Sequence, residues 1–194
     1  ATRLSAVFAA GLAVLMLAGC AGAPPRQQFA DLTYKHLEPI RIDVARIEVR
    51  QTYEPPLAAP YVEHKMPVSP AQAARQWAED RLQAVGDAGT LTYTIRTASV
   101  REEELETESG ISGLFTSEPS QRYLAKLVID IRVERPGDSG KLTATAERTT
   151  TVQEDASVND REKAWYGLVE KLMQDLNGQL EKTLRADFDR YVTG

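Results

Sequence analysis

Hydrophobic and polar residues alternate in four stretches of the chain, and in two others the apolar residues recur every three or four positions. The alternating stretches are IRIDVARIEV (40–49), LTYTIRTASV (91–100), YLAKLVIDIRVE (123–134) and LTATAERTTTV (142–152). A period of two is typical of a strand with one buried face, and a period of 3.6 is typical of an amphipathic helix. The sequence therefore predicts an α+β fold with four strands and two helices, in the order β-α-β-β-β-α.

The first strand contains a change of phase. Two sets of apolar residues alternate out of step with each other: Ile40, Ile42 and Val44, then Ile47 and Val49. One extra residue moves all later side chains to the other face, so we expect a β-bulge at Ala45-Arg46. The next stretch, 51–70, carries five of the ten prolines. It is predicted to be an ordered surface loop with a short extended piece at Tyr61–Lys65.

The first helix has a strong start signal. Ser69, Pro70 and Gln72 supply a serine N-cap, a proline at the first helical position and the glutamine of a capping box. The helix is expected to run to Val85, with Gly86 as its terminator. Its predicted apolar stripe has five members: Ala74, Trp77, Ala78, Leu82 and Val85.

The last helix is expected to begin at Asn159, with Glu162 three residues later. Its stripe is long and rich in leucine: Trp165, Leu168, Leu172, Leu176, Leu180, Leu184, Phe188 and Tyr191. About thirty helical residues span roughly 45–50 Å, which exceeds the length of the strands. Either Asn177-Gly178 breaks this helix, or its last turns overhang the domain.

The last three strands should form an antiparallel meander, which the first strand joins through a crossover helix. Because each helix has one apolar stripe, both should pack on the same face of this mostly antiparallel four-stranded sheet. The opposite face would be open and polar, as antiparallel sheets allow. Its predicted members are Thr92, Thr94, Arg96, Lys126, Asp130, Arg132, Thr143, Thr145, Glu147, Thr149 and Thr151.

The N-terminal region resembles the signal peptide of a bacterial lipoprotein. An apolar run from Leu4 to Ala18 follows Arg3 and is too short for an ordinary membrane span. It ends in Leu17-Ala18-Gly19-Cys20, the pattern of the lipobox. This resemblance implies removal of residues 1–19 and a diacylglycerol group and an N-acyl chain, such as palmitate, on Cys20. Ala21 is not aspartate, which by the best-known sorting rule implies the outer membrane, while inner-membrane retention stays open.

The rest of the composition fits this interpretation. Cys20 is the only cysteine, so no intramolecular disulfide can form. The net charge of −5 makes nucleic acid and anionic lipid poor partners. Residues 20–38 show no sustained period and are predicted to be a flexible tether, followed by a single domain at 39–194.

The sequence shows no catalytic constellation. His36 and His64 lie in the tether and the proline-rich loop, and we expect both at the surface. Motifs such as GxSxG, CxxC and HExxH are absent, while Trp77 and Trp165 fall on helix stripes and are expected in the core. We therefore predict a protein that is not an enzyme and needs no cofactor or metal.

The stretch REEELETESGISGLFTSEPSQ (101–121) is expected to be the long arm of the hairpin between the second and third strands. If the strand continues, four glutamates share one face: Glu102, Glu104, Glu106 and Glu108. A straight ladder does not converge on one metal ion, which leaves a solvated arm or a docking arm for a basic partner. Three apolar residues near the tip either fold back onto the domain or contact a partner: Ile111, Leu114 and Phe115.

The lipobox followed by this order of elements resembles two families of envelope lipoproteins. They are the lipopolysaccharide-assembly lipoproteins (the LptE family), which plug a large β-barrel, and the ABC-type transport auxiliary lipoproteins, which serve lipid transport. The resemblance implies a lipid-anchored, periplasm-facing accessory subunit that binds a β-barrel or transporter component. The loop at 51–70 and the acidic arm are longer than either family leads us to expect. The alternative is a carrier that holds a lipid or small molecule between the helices and the sheet.

Overall fold

The structure is a computed structural model that describes residues 28–105 and 119–193. Its strands are β1 (Ile40–Ile42), β2 (Arg46–Gln51), β3 (Leu82–Ala84), β4 (Thr90–Glu104), β5 (Pro119–Arg135) and β6 (Asp138–Gln153). Its α-helices are α1 (Pro70–Arg81) and α2 (Val158–Asp187), and short 3-10 turns occupy Glu63–Lys65 and Asp189–Tyr191. The chain has an α+β fold, as the sequence predicts.

The main sheet has four strands in the order β2-β4-β5-β6. The meander β4-β5-β6 is antiparallel, and β2 lies parallel to β4 at the edge. The β5–β6 connection is a two-residue turn at Pro136-Gly137, where Gly137 adopts a φ of 78° that glycine accepts without strain. The three strands of the meander are therefore joined as the sequence predicts, and each is longer than its alternating stretch.

The expected bulge in the first strand is wrong, because the chain changes sheets at that point. β1 pairs in parallel with β3 in a separate two-stranded sheet, whereas β2 pairs with β4. Val44 N donates to Ile42 O over 2.8 Å in the turn between β1 and β2. The change of hydrophobic phase thus marks the end of one strand and the start of another. In the main sheet, a shift of register occurs in β4 between Ile95 and Thr97.

The start of α1 is confirmed, and its predicted end is wrong. The Ser69 side chain accepts from Gln72 N, and the Gln72 side chain accepts in return from Ser69 N. The helix ends at Arg81, and the next three residues form β3. Since β1 supplies backbone partners for β3, this pairing replaces the last helical turn, and Val85 is left 46% exposed.

The cap of α2 also differs from the prediction. Ser157, not Asn159, is the N-cap, and its side chain accepts from Asp160 N in a reciprocal capping box. Ser-x-x-Asp competes here with Asn-x-x-Glu two residues later, and both sequences are able to cap a helix. The N-cap therefore lies two residues earlier than predicted, and the helix begins at Val158.

The helix α2 is continuous through Gly178, and its last turns do not overhang the domain. Leu184 is fully buried, and the chain then turns so that Phe188 and Tyr191 are buried outside the helix. Tyr191 O accepts from Asp43 N over 2.8 Å, which ties the end of the chain to the region of β1. The leucine stripe therefore packs along its whole length.

Both helices cover one face of the main sheet, as predicted. Trp77 of α1 stacks on Tyr93 of β4 with 5.9 Å between ring centroids, and Trp165 of α2 meets Tyr123 of β5 edge-on at 5.5 Å. The fully buried alternating residues of the sheet include Leu91, Tyr93, Ile95, Val100, Tyr123, Leu127, Ile129, Ile131, Val133 and Ala144. Both tryptophans therefore belong to the core.

The opposite face of the sheet is polar and uncovered within the described residues. Arg96, Lys126, Arg132, Thr143 and Glu147 are exposed there. Of the helices in the described part of the chain, none has the length and the unbroken apolar run that a bilayer crossing requires.

Candidate functional site

The site of interest is the place where the β4–β5 hairpin leaves the domain. Glu104 pairs with Gln121, and Leu105 N donates to Ser120 O over 2.8 Å. Tyr123 of β5 is fully buried. We call residues 100–105 and 120–123 the arm root.

The register shift in β4 determines which side chains of the arm root face the helices. Before the shift, odd-numbered residues such as Ile95 are buried, whereas after it Ala98 and Val100 are buried. Alternation then places Glu102 and Glu104 on the helix-covered side of the sheet. Glu102 is half-buried and accepts a 3.1 Å hydrogen bond from the Tyr123 hydroxyl, whereas Glu104 is exposed.

A buried carboxylate braces the outer edge of the arm root. Glu63 is only 2% exposed. One carboxylate oxygen accepts from the Tyr53 hydroxyl at 2.5 Å, and the other accepts from Val100 N at 3.1 Å. Burial raises the pKa of Tyr53 above its usual range, and the hydrogen bond to Glu63 raises it further.

The loop around Glu63 acts as a short extra strand on β4. Val62 N donates to Val100 O over 2.9 Å, and Glu102 N donates to Pro60 O over 2.8 Å. Tyr61 forms an isolated antiparallel bridge with Arg101. Only Tyr61 of the expected extended piece is therefore paired as a strand, because residues 63–65 turn into a 3-10 helix to bring the carboxylate inward.

Sequence reasoning missed Glu63. Its hydrogen-bond partners lie 10 and 37 residues away along the chain, so no local period reveals them. The available signal was weak: an acidic residue directly after an apolar one in a proline-rich loop.

The inner side of the arm root rests on α2. The ring of Tyr123 meets Trp165, and its hydroxyl also lies 3.1 Å from the Gln121 side-chain oxygen. Burial raises the pKa of Tyr123 to about 12, and the neighbouring Glu102 carboxylate adds to the shift. The loop and α2 therefore hold the two sides of the arm root in place.

Opposite charges on the open face of the sheet largely neutralise one another. Asp130 lies 3.0 Å from Arg96 and 3.6 Å from Lys141, and it accepts from the Thr143 hydroxyl at 2.7 Å. Burial alone would raise the pKa of Asp130, but the hydrogen bonds from Thr143 and Arg96 lower it overall. Because these charged groups are already paired across the strands, they attract a charged ligand less strongly.

A pocket of about 400 Å³ lies at the rim of the domain, near the ends of both helices. Its wall includes the buried Arg81, which donates to the Glu38 carbonyl and to the Glu181 carboxylate. Leu37 and Ile40 supply part of its apolar lining. This pocket is at the rim, whereas the alternative carrier function expects one between the helices and the sheet.

The described residues offer little for metal chemistry. Within them, no group of three or more His, Cys, Asp and Glu side chains is arranged to hold a metal ion. His36 and His64 are both exposed. Six of the predicted site residues lie outside the described part of the chain: Cys20, Glu106, Glu108, Ile111, Leu114 and Phe115.

Two solved structures are similar to this chain at a distant level. One is rare lipoprotein B from Shewanella oneidensis, with 12% identity, a TM-score of 0.39, and coverage of 74% of this chain and 97% of that one. The other is a minor lipoprotein from Acinetobacter baumannii, with 18% identity, a TM-score of 0.37, and coverage of 79% and 98%. No family model matches the sequence, and no curated protein matches it. At these TM-scores neither likeness bears on function, and kinship with either family named above stays a prediction.

Proposed function

We propose that this chain is a non-enzymatic, lipid-anchored accessory subunit of an envelope assembly or lipid-transport complex. It is held by Cys20 in the outer membrane, faces the periplasm, and contacts a β-barrel or transporter component through the β4–β5 arm. The observation that carries the proposal is the bracing of the arm root by the Glu63 carboxylate.

The bracing matters because binding has a cost in conformational entropy. A mobile arm loses conformational freedom when it docks, and that loss weakens binding. Glu63 and two backbone hydrogen bonds, from Glu102 N to Pro60 O and from Val62 N to Val100 O, fix the outer edge of β4, while Trp165 supports the inner side. The arm root is thus fixed on both sides, and a fixed base favours a docking role over a freely solvated loop.

The lipid anchor is tested by replacing Cys20 with alanine. Intact protein should incorporate labelled palmitate and fractionate with outer membranes, and Cys20→Ala should lose both properties. Fractionation of the unaltered protein with inner membranes would move the proposed site of action there.

The docking arm is tested by crosslinking in cells. A photoreactive amino acid at Leu114 or Phe115 should give one discrete adduct with a membrane protein, identified by mass spectrometry. The same group at Thr143, on the self-neutralised sheet face, is the matched control and should give none. Adducts of equal yield and pattern from all three positions, or none from the arm at native expression, would count against the proposal.

The rim pocket supports a second candidate function, the carrying of an amphiphile. Arg41 and Arg185 line its mouth together with apolar side chains such as Ile40. Native mass spectrometry of protein purified from membranes should then show a bound small molecule that Arg41→Gln with Arg185→Gln releases. A spectrum with only the mass of the protein would remove this candidate.

A further inference from the structure

The outer edge of β6 carries unpaired backbone groups. In β6, Thr145 N donates away from β5 to the Gln179 side chain over 3.1 Å. Because outward and inward groups alternate along an antiparallel strand, the backbone groups of Glu147, Thr149 and Thr151 also point outward. Within the described part of the chain these three amides donate no hydrogen bond, so the edge from Glu147 to Thr151 is open to another strand.

A groove runs beside this edge, between β6 and the first half of α2. Two pockets, of about 310 and 360 Å³, lie end to end along it and share Ala164 in their walls. Gly167 forms part of the groove wall, and a Cβ added there would meet no atom within 4 Å. A strand added to β6 would place every second side chain into this space.

The charged residues of the groove indicate which charge the side chains of an added strand should carry. Lys163 and Lys171 line one of its two pockets, and both are exposed. Neither forms a salt bridge within the described residues, although Lys163 adds to the hydrogen bonds of Ser157 that lower the pKa of Asp160. Eight helical residues separate them by about 12 Å, which matches the roughly 13 Å between positions i and i+4 of a strand. Asp155 and Asp160 lie in the wall of the other pocket, so the groove is basic at one end and acidic at the other.

We propose that β6 is a docking edge for an extended segment of a partner protein that carries acidic residues four positions apart. The segment adds a strand next to Thr149 and Thr151, and its acidic side chains enter the groove towards Lys163 and Lys171. Backbone hydrogen bonds supply affinity in this mode of recognition, and side-chain pockets supply specificity. The proposal extends the proposed function by adding a second contact surface, and its test is independent of the arm.

The probe is a synthetic nine-residue peptide of alternating valine and threonine, with glutamate at its third and seventh positions. This arrangement is symmetric about the centre, so either strand direction presents both acids to the groove. Binding of the fluorescein-labelled peptide to the purified domain is followed by fluorescence anisotropy. We expect saturable binding that weakens as salt is raised, because the lysine contacts are exposed.

Two variants of the same helix give a matched pair. Gly167→Phe fills the groove and should weaken binding at least tenfold. Gly178→Phe also projects into open space, but Gly178 does not line the groove, so this variant should bind as the unaltered protein does. Reversing both charges, with Lys163→Glu and Lys171→Glu, should cost about tenfold. A peptide with lysine in place of both glutamates should recover the lost binding to this double variant.

Peptide chemistry provides a control that leaves the protein unchanged. One peptide is N-methylated at its even positions and another at its odd positions. Only one edge of an added strand faces β6, so one version should lose binding and the other should keep it.

Three results would overturn the proposal. The first is no saturable signal up to about 1 mM peptide, and the second is equal binding by both methylated peptides. The third is light scattering that shows a dimer abolished by Gly167→Phe, which would make a second copy of this chain the occupant. Loss of arm crosslinks with intact peptide binding would remove only the proposed function.

Discussion

Removing the Glu63 carboxylate should destabilise the domain more than an ordinary loop mutation does. Glu63→Ala leaves Val100 N and the Tyr53 hydroxyl without their acceptor. A hydrogen bond to a charged group contributes about 1.5–3 kcal/mol, and part of this is offset because a buried charge is removed as well. We expect a net loss of about 3 kcal/mol in the free energy of unfolding. For a domain of this size that lowers the melting temperature by roughly 6–12 °C.

Two further variants separate the hydrogen bonds from the charge. Glu63→Gln keeps the shape, since its amide oxygen is able to accept from Val100 N while its nitrogen donates to the Tyr53 oxygen, and it should cost about 1 kcal/mol. Tyr53→Phe removes one donor. A double-mutant cycle between Tyr53→Phe and Glu63→Ala should give a coupling energy of about 1 kcal/mol.

The assay is urea denaturation combined with hydrogen exchange. In Glu63→Ala the amides of Val100 to Glu104 should lose protection first, whereas amides near Ile131, at the far end of β5, should follow only the global change. The reasoning is refuted if Glu63→Ala costs less than about 1 kcal/mol, or if protection falls equally at both ends of the sheet.

Three other predictions test the description of the fold. Ser157→Ala should cost about 1 kcal/mol in urea denaturation, while Asn159→Ala should cost little, because only Ser157 caps α2. The pKa of Tyr123 is raised to about 12, so the folded state keeps a proton that an unfolded tyrosine loses near pH 10. Stability contributed by Tyr123 is therefore complete below about pH 10 and is lost as the pH rises towards 12; Tyr123→Phe should flatten this decline in denaturation curves. Gly140→Ala places a Cβ 2.7 Å from the Tyr191 ring and should cost about 1–2 kcal/mol in thermal melts, and an unchanged midpoint would contradict that packing.

The elements with a long, regular period could be predicted from the sequence. The alternation from Tyr123 to Val133 predicts the buried face of β5, and the leucine stripe predicts the buried face of α2. In both cases the hydrophobic period extends over many residues. A single tertiary contact therefore does not change the type of the element or the face that it buries.

The pairing of short segments could not be predicted in the same way. Leu82–Ala84 continues the helical pattern of α1, yet it pairs with Ile40–Ile42, which lies some forty residues earlier. A three-residue strand carries too few side chains to show a period. Tertiary contacts therefore decide its conformation over local propensity.

The candidate site also combines a feature that the sequence suggests with one that depends on contacts between distant residues. The acidic stretch after Val100 predicts an exposed arm, because like charges resist burial, and this stays a prediction because residues 106–118 lie outside the described part of the chain. The residue that braces the arm, Glu63, is identified only by distances in space.

The stacking of Phe29 on Tyr166, with 5.1 Å between ring centroids, fastens the beginning of the described chain to α2. Tyr166 follows Trp165, whose ring contacts Tyr123. With Cys20 lipidated as proposed, nine residue steps connect the lipid to Phe29, and a fully extended chain of that length covers about 30 Å. Such an anchor would keep Phe29, and with it the adjoining part of α2, within about 30 Å of the lipid. A partner of the proposed arm would then have to meet a domain whose first described residues stay close to the membrane.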